Sequence, residues 1–156
     1  NALKYIACYI IEGENMEIRT SMLIKQLYFL HQQRLNKIFC EFDLTATQTF
    51  TLIYLFQSRE AGRSVKQKDI EHKMEISNPT VTGILNRLEH KGLIQRVADE
   101  KDARVKHIVV TEKALELDCL LRQKFNEADK EMVASLNEEE EKQLQDMLMR
   151  MLHPSS

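Results

Sequence analysis

The amino-acid sequence predicts a mainly α-helical protein that contains one small β-hairpin. Its 156 residues include only 4 Gly and 2 Pro, too few for an all-β fold, which needs turn residues about every 8–12 positions. The good helix formers Glu, Lys, Leu, Met and Gln are abundant instead. Two runs rich in β-branched residues flank a charged segment in the second half of the chain. These features favour a series of helices with one hairpin between them.

The first two helices are predicted from apolar periodicity and from a capping pattern. Apolar side chains recur at steps of four and three along residues 16–41. Thr45 and Gln48 match a capping box, in which each residue bonds the backbone N–H of the other. Gly62 can end the second helix in a left-handed conformation.

Two shorter helices are predicted next, over residues 64–74 and 77–91. Pro79 suits the first turn of the second one, because its missing N–H would be unpaired there anyway. Glu75 and Ile76 form the tight connection between the two helices. This spacing is typical of a helix-turn-helix, whose second helix lies in the major groove of DNA.

The hairpin and the last two helices complete the chain. Residues 93–97 and 105–110 are rich in β-branched side chains and predict two strands, joined by a charged, protruding turn. Thr111 is then predicted to cap a long helix, and Asn137 to cap a final one. The amphipathic helices at both ends of the chain have little to cover them within one subunit. We therefore expect a homodimer with Leu121 in its interface.

The charge distribution points to the middle of the chain as the part that meets a polyanion. The whole chain has a formal net charge of −2. Residues 63–113 carry 11 Lys and Arg against 8 Asp and Glu, whereas residues 114–156 carry 5 against 10. A basic middle before an acidic end is modest but directional evidence for nucleic-acid binding.

Several other classes of protein are not expected. No apolar run reaches the roughly 18 residues of a membrane span, and the apolar segment at residues 5–11 lacks the flanks of a signal peptide. Three widely spaced Cys predict a cytoplasmic protein without a disulfide framework. The Cys and His spacing predicts no metal site, and the four isolated Gly form no phosphate-binding loop. We therefore expect neither an enzyme nor a cofactor.

The exposed face of the helix over residues 77–91 is the main candidate site. A merely solvated face would normally be rich in Glu and Lys. This face carries hydroxyl, amide and guanidinium groups instead, which suit base edges and phosphates. Gly83 is unusual in mid-helix, and a closely approaching partner would explain it. The candidate residues are Ser77, Asn78, Pro79, Thr80, Thr82, Gly83, Asn86 and Arg87.

Two motifs at the correct separation give the chain a family resemblance. Residues 76–94 resemble the recognition helix of the MarR family of winged helix-turn-helix transcriptional regulators, together with its exit into the wing. Asp102 and Arg104, followed after five intervening residues by Val110 and Thr111, resemble the wing motif of that family, with Val in place of Leu. The resemblance extends over about residues 20–152.

The resemblance implies an organisation and a set of DNA contacts. It implies a homodimer on double-stranded DNA, with each wing in a minor groove and Asp102 paired with a basic group. The implied wing contacts are Lys101, Asp102, Arg104 and Lys106, and the backbone contacts are Lys66, Gln67 and Lys68. The expected parts are an N-terminal extension with an extra helix over residues 1–15, a dimerisation helix over 16–44, a winged helix-turn-helix domain over 45–111, and dimerisation helices over 112–156.

We expect a sequence-specific regulator, usually a repressor in this family, that binds a pseudo-palindromic operator and responds to a small aromatic or anionic effector. His31 is the candidate effector contact, although a buried structural His is the common alternative. A thiol-based redox sensor is another alternative, but neither Cys8 nor Cys40 falls at the position used in the family. Cys40 is expected to be a small core residue. The alternative from another class is a winged-helix protein-assembly module that does not bind DNA.

Overall fold

A computed structural model describes residues 19–99, 102 and 104–153 of the chain. Within these residues the order of elements confirms the mainly α fold with one hairpin. The extra helix predicted for residues 1–15 lies outside the described residues. The elements are α1 (Thr20–Glu41), α2 (Ala46–Glu60), α3 (Gln67–Met74), α4 (Asn78–His90), β1 (Ile94–Ala98), β2 (Lys106–Val110), α5 (Glu112–Val133) and α6 (Glu138–Leu152).

Two predicted helix starts and one predicted helix end are confirmed in atomic detail. The backbone N–H of Gln48 donates to Thr45 Oγ1 at 3.3 Å, and that of Thr45 donates to Gln48 Oε1 at 3.1 Å. Asn137 caps α6 through the same reciprocal bonds with Glu140. Gly62 follows α2 with a φ of +65°, a conformation that a side chain would strain. These boundaries depend on neighbouring residues, which is why the sequence predicts them well.

The predicted start of the third helix is wrong by three residues. The sequence predicts a helix from Ser64, but α3 begins at Gln67. The reason is a pairing with β2: the N–H of Ile108 donates to the carbonyl of Val65 at 2.8 Å, and Lys66 forms an antiparallel bridge with His107. Backbone that is paired with a strand cannot also begin a helical turn.

The chain divides into two compact units. The first, here called the hairpin unit, spans residues 36–127 and contains α2, α3, α4 and both strands. The strands pair antiparallel, with Ile94 opposite Val110 and Ala98 opposite Lys106. The unit has one apolar core, whose fully buried members include Leu52, Phe56, Ile70, Leu85, Leu88 and Leu121.

The sequence predicts Leu121 in the dimer interface, and this prediction is wrong. Its side chain is only 1% exposed within a single chain, so it already belongs to the core of the hairpin unit. Substitution of Leu121 by Asp would therefore disrupt folding and would not report on dimerisation. The sequence likewise predicts Cys40 in the core, and this prediction is wrong, because Cys40 and Cys119 are both exposed in this unit.

An ion pair fixes the end of α4 to the loop that follows α1. Lys91 Nζ donates to the backbone carbonyl of Asp43 and, at 2.8 Å, to its carboxylate. The hydrogen bond and the charge of Lys91 hold the pKa of Asp43 below its ordinary value. Asp43 has a positive φ of 52°, so the contact secures a loop with an uncommon backbone conformation.

The second unit, here called the helical unit, comprises residues 19–35 and 128–153 among those described. It carries exposed apolar side chains on α1 and on α6, and no residue of α6 is fully buried. No helix among the described residues is long and apolar enough to cross a membrane. The exposed apolar residues are Leu23, Ile24, Leu27, Tyr28 and Leu30 of α1, and Met147, Leu148, Met149, Met151 and Leu152 of α6.

Candidate nucleic-acid interface

Helices α3 and α4 are joined by a sharp turn over residues 75–77. Glu75 ends α3 in the left-handed conformation, with a φ of 53°, and its N–H donates to the carbonyl of Glu71. Ser77 occupies the N-cap of α4, and Pro79 lies in its first turn as predicted. The structure therefore contains a helix-turn-helix at the predicted position.

The second of these helices has one buried face and one polar face. Its inward side is made of Val81, Ile84, Leu85 and Leu88, which are all buried. Helical periodicity places the candidate residues around the opposite side. Thr82 and Gly83 are partly covered. The other six candidates are exposed, namely Ser77, Asn78, Pro79, Thr80, Asn86 and Arg87.

Most polar groups on this face are already held by hydrogen bonds. Thr82 Oγ1 accepts from Gln67 Nε2 at 2.8 Å, which joins α4 to α3. The hydroxyls of Ser77 and Thr80 lie 2.8 Å apart. Asn78 Nδ2 donates to the carboxylate of Glu71, which is a second side-chain bond between the two helices. These contacts fix the orientation of the side chains before any partner binds.

Arg96 on β1 positions Asn86, a role that sequence reasoning missed. The guanidinium donates to Asn86 Oδ1 at 2.8 Å and to the carboxylate of Glu89 at 2.6 Å. The signal that could have found it is a lone cation on a strand directly after the helix. Arg87, in contrast, is exposed and forms no side-chain hydrogen bond or ion pair with a described residue. Its guanidinium is therefore available to an external acceptor.

Packing against the described residues does not explain Gly83. A Cβ atom built on it would meet no atom of this part of the chain within 4 Å. The residue lies near the centre of the polar face of α4, opposite the buried side chains. A glycine there lowers helix stability relative to Ala and leaves the surface of the helix flat.

A basic groove of about 430 Å³ is lined by the three predicted backbone residues and by two of the predicted wing residues. Lys66 and Lys68 line it at the start of α3, and Arg104 and Lys106 line it from the wing. The one carboxylate among its described lining residues, that of Glu71, accepts a hydrogen bond from Asn78. These residues therefore concentrate positive charge. The lining among the described residues is Lys66, Gln67, Lys68, Glu71, Asn78, Arg104, Val105 and Lys106.

Asp102 stabilises the turn of the hairpin through hydrogen bonds that involve the backbone. Its carboxylate accepts from the backbone N–H of Arg104 at 3.0 Å, and its own N–H donates to Asp99 Oδ1 at 3.2 Å. No basic side chain of a described residue pairs with it. Lys101 lies outside the described residues. Asp102 thus shapes the turn that presents Arg104.

His107 links the hairpin to the segment before α3, a second role that sequence reasoning missed. Its Nδ1 lies 2.6 Å from Ser64 Oγ, and its Nε2 lies 2.8 Å from Asp99 Oδ2. With a proton on Nε2, the ring donates to Asp99 and accepts from Ser64. The side chain is 20% exposed. We call this set of contacts the His107 link.

One other predicted site residue can be placed. His31 lies in the helical unit, and its Nδ1 is buried without a hydrogen-bond partner among the described residues. The described residues contain no cluster of three His, Cys, Asp or Glu that could hold a metal ion.

Comparisons with known proteins agree with this geometry. The model of the MarR family matches residues 44–106. The crystal structure of MepR, a transcription regulator of a Staphylococcus aureus multidrug efflux pump, is 30% identical with a TM-score of 0.79, over 86% of this chain and 97% of that one. MepR in complex with DNA is 32% identical with a TM-score of 0.71, over 85% and 96%. The regulator PecS of Dickeya dadantii is 26% identical over 89% of this chain and 85% of its own length.

We expect the His107→Ala substitution to loosen the hairpin. It removes two side-chain hydrogen bonds, each worth about 0.5–1.5 kcal/mol net, so the free energy of unfolding should fall by about 1–3 kcal/mol. The amide of Ile108, which bonds Val65 across the same pairing, should exchange its hydrogen faster. Urea unfolding and amide exchange measure these effects. Lys106→Ala, an exposed neighbour on the same strand, is the control, and equal effects of both variants would contradict the role of His107.

Proposed function

The chain belongs to the MarR family of winged-helix transcriptional regulators, and we propose that it is a sequence-specific repressor that binds a pseudo-palindromic operator as a homodimer. The observation that supports this most is the basic groove, in which Lys66 and Lys68 converge with Arg104 and Lys106 beside the polar face of α4. The relative MepR has been crystallised with DNA.

The side chains divide into those that read bases and those that hold the backbone. Arg87 is the proposed base-reading residue, because its guanidinium is free and can bond two acceptors of guanine at once. Lys66 and Lys68 are proposed phosphate contacts from the start of α3. Arg104 is proposed to enter the minor groove, where narrow A·T tracts concentrate negative potential.

Two residues of the polar face of α4, Thr82 and Asn86, are already hydrogen-bonded within the chain, which limits the contacts they can make with DNA. Thr82 positions Gln67 through its hydroxyl, so its main contribution is to orient a side chain of α3. Asn86 has its carbonyl oxygen occupied by Arg96, and only its amide N–H groups are left for DNA. It can therefore donate to a base acceptor, but it cannot form the two-bond contact that an unengaged Asn makes with adenine.

The homodimer is supported by the exposed apolar faces of α1 and α6 in the helical unit. Several large apolar residues are exposed on each of these helices in one chain, such as Leu27 on α1 and Leu152 on α6. Contiguous apolar surface of this kind is a mark of a protein–protein interface. Two copies related by a two-fold axis would bury it and would present two recognition helices to two operator half-sites.

An effector that controls DNA binding is the remaining part of the proposal. The unpartnered, buried Nδ1 of His31 supports an effector contact in the helical unit. A buried ring nitrogen without a partner costs free energy, and a hydrogen-bonding ligand would recover it. A small aromatic or anionic molecule fits this requirement.

Gly83→Ala is expected to separate stability from function. Alanine should raise the free energy of unfolding by up to about 1 kcal/mol, since it is the better helix former and finds open space. If the polar face of α4 lies against DNA, the added methyl group should weaken operator binding. Urea unfolding and fluorescence anisotropy measure the two effects. Gly62→Ala, at a positive φ, is the control: it should lower the free energy of unfolding and leave operator affinity unchanged. Unchanged operator affinity in Gly83→Ala would contradict the proposed contact between α4 and DNA.

Arg87→Ala and Arg104→Ala should fail in different ways. The first should weaken binding to the specific duplex by roughly 1–3 kcal/mol and affect random DNA much less. The second should make the slope of log affinity against log salt shallower by about 2 per dimer, because each Arg displaces about one counterion. Anisotropy over a salt series, on the DNA upstream of the coding region and on a random duplex, measures both. Arg59→Ala, on an exposed turn of α2, is the control.

Binding of the unmodified protein to the two duplexes decides between a DNA-binding regulator and a winged-helix module that assembles with proteins. A regulator prefers one duplex over the random one. Equal affinity for the two would favour a winged-helix assembly module whose basic groove serves an acidic protein. Equal loss on both duplexes in Arg87→Ala would make Arg87 a phosphate contact.

The dimer is tested at Leu152, which is 71% exposed in one chain. Leu152→Glu would place a charge in the proposed interface and should raise the dimer dissociation constant at least about a hundredfold, since an unpaired buried charge costs several kcal/mol. Analytical ultracentrifugation measures it. Val109→Glu changes an exposed apolar residue of the hairpin unit instead and should leave the dimer intact. A stable, folded monomer of the unmodified protein at micromolar concentration would refute the dimer.

A further inference from the structure

A second cavity in the hairpin unit shares no residue with the basic groove. It has a volume of about 600 Å³ and is bounded by α2, by the segment over residues 63–65 and by α3. On α3 it uses the helix face opposite to the one that lines the groove. Its lining residues are Tyr54, Ser58, Arg63, Ser64, Val65, Asp69, His72 and Lys73.

The charges around this cavity favour an anion. Arg63 and Lys73 are exposed, and neither forms an ion pair with a described residue. The one carboxylate of the wall, that of Asp69, accepts the backbone N–H of Lys66 at 2.7 Å and so caps the start of α3. The cavity wall therefore carries two cations without an ion-pair partner among the described residues, and its carboxylate is already bonded to the backbone at the start of α3.

A buried hydroxyl without a partner indicates a missing hydrogen-bond acceptor. Ser58 is 1% exposed and lines the cavity from α2. Its Oγ forms no hydrogen bond within the described part of the chain. Buried polar atoms are almost always paired, so an unpaired one in a cavity wall points to a ligand. The hydroxyl of Tyr54 supplies a further polar group on the same wall.

We propose that this cavity binds a small organic molecule through an oxyanion group, either a carboxylate or a phosphate. Arg63 and Lys73 supply the charge, and the buried hydroxyl of Ser58 supplies a hydrogen bond. The cavity is distinct from the effector contact proposed at His31, because it lies entirely within the hairpin unit.

The wall of the cavity is connected to the wing, which gives the ligand a means of changing DNA affinity. Ser64 belongs to the His107 link, and the carbonyl of Val65 accepts from the N–H of Ile108 at 2.8 Å. A ligand that shifts residues 63–65 therefore acts on the strand that carries Lys106. This part of the proposal rests on the proposed DNA-binding function; binding of the anion does not.

Binding is tested by NMR titration of the full chain with inorganic phosphate and with succinate, without DNA and at constant ionic strength. We expect saturable shifts at the amides of residues 58, 63–65 and 69–73. Lys73→Gln and Arg63→Gln should each raise the dissociation constant at least tenfold. Lys68→Gln is the matched control, because it removes a lysine from the same helix on the groove side. Shifts centred on the groove, an equal loss in Lys68→Gln, or no saturation would overturn the site.

Ser58→Ala separates a binding role from a structural one. The variant should bind phosphate more weakly and melt at the same or a higher temperature, since it removes a hydroxyl that has no partner in the described structure. A lower melting temperature with unchanged phosphate binding would overturn the role of Ser58. Far-ultraviolet circular dichroism during heating provides the measurement.

The coupling is tested by operator binding with and without the anion. Unmodified protein and Arg59→Ala, whose exposed side chain does not line the cavity, should change operator affinity at saturating phosphate, and Lys73→Gln should not. Saturable phosphate binding with unchanged operator affinity would overturn the proposed coupling but would still support the anion-binding site. A protein that binds the anion but no DNA would refute the proposed function alone, so the two failures are distinguishable.

Discussion

The pairing between β2 and the segment before α3 is the constraint on which the proposed DNA-binding surface depends. It combines a backbone bond from Ile108 to Val65 with the bridge between Lys66 and His107. The ring of His107 adds bonds to Ser64 and Asp99 on either side. Together they fix the hairpin to the start of α3, and so they determine which cations share the groove.

The polar face of α4 is organised before any ligand arrives. Thr82, Asn78 and Asn86 are each bonded to a residue of a neighbouring element, and these bonds reduce the entropy that binding would otherwise cost. Arg87 is the exception, because its guanidinium has no partner among the described residues. A surface that is largely pre-organised around one free guanidinium suits discrimination between similar sequences, since the readout is concentrated in a group with fixed hydrogen-bond geometry.

The two compact units differ in how far they bury their apolar side chains. The hairpin unit completes its own core, as the burial of Leu52, Ile70 and Leu121 indicates. The helical unit leaves apolar side chains of α1 and α6 exposed, and α6 has no fully buried residue. In the proposed homodimer a second copy would cover these side chains, and folding would then depend on protein concentration. A ligand bound in the proposed cavity of the hairpin unit would act without any change in that dimer.

The sequence alone determined the helices, their caps, the hairpin and the polar face of α4. These features depend on residues a few positions apart, as in the Thr45–Gln48 box and the apolar spacing of α4. The tertiary structure decided the start of α3, the burial of Leu121 and the exposure of Cys40. It also decided which polar groups of α4 are occupied and that Ser64 meets His107, 43 residues away. A local pattern cannot specify such pairs, because their partners are chosen by how separate elements pack around a shared core.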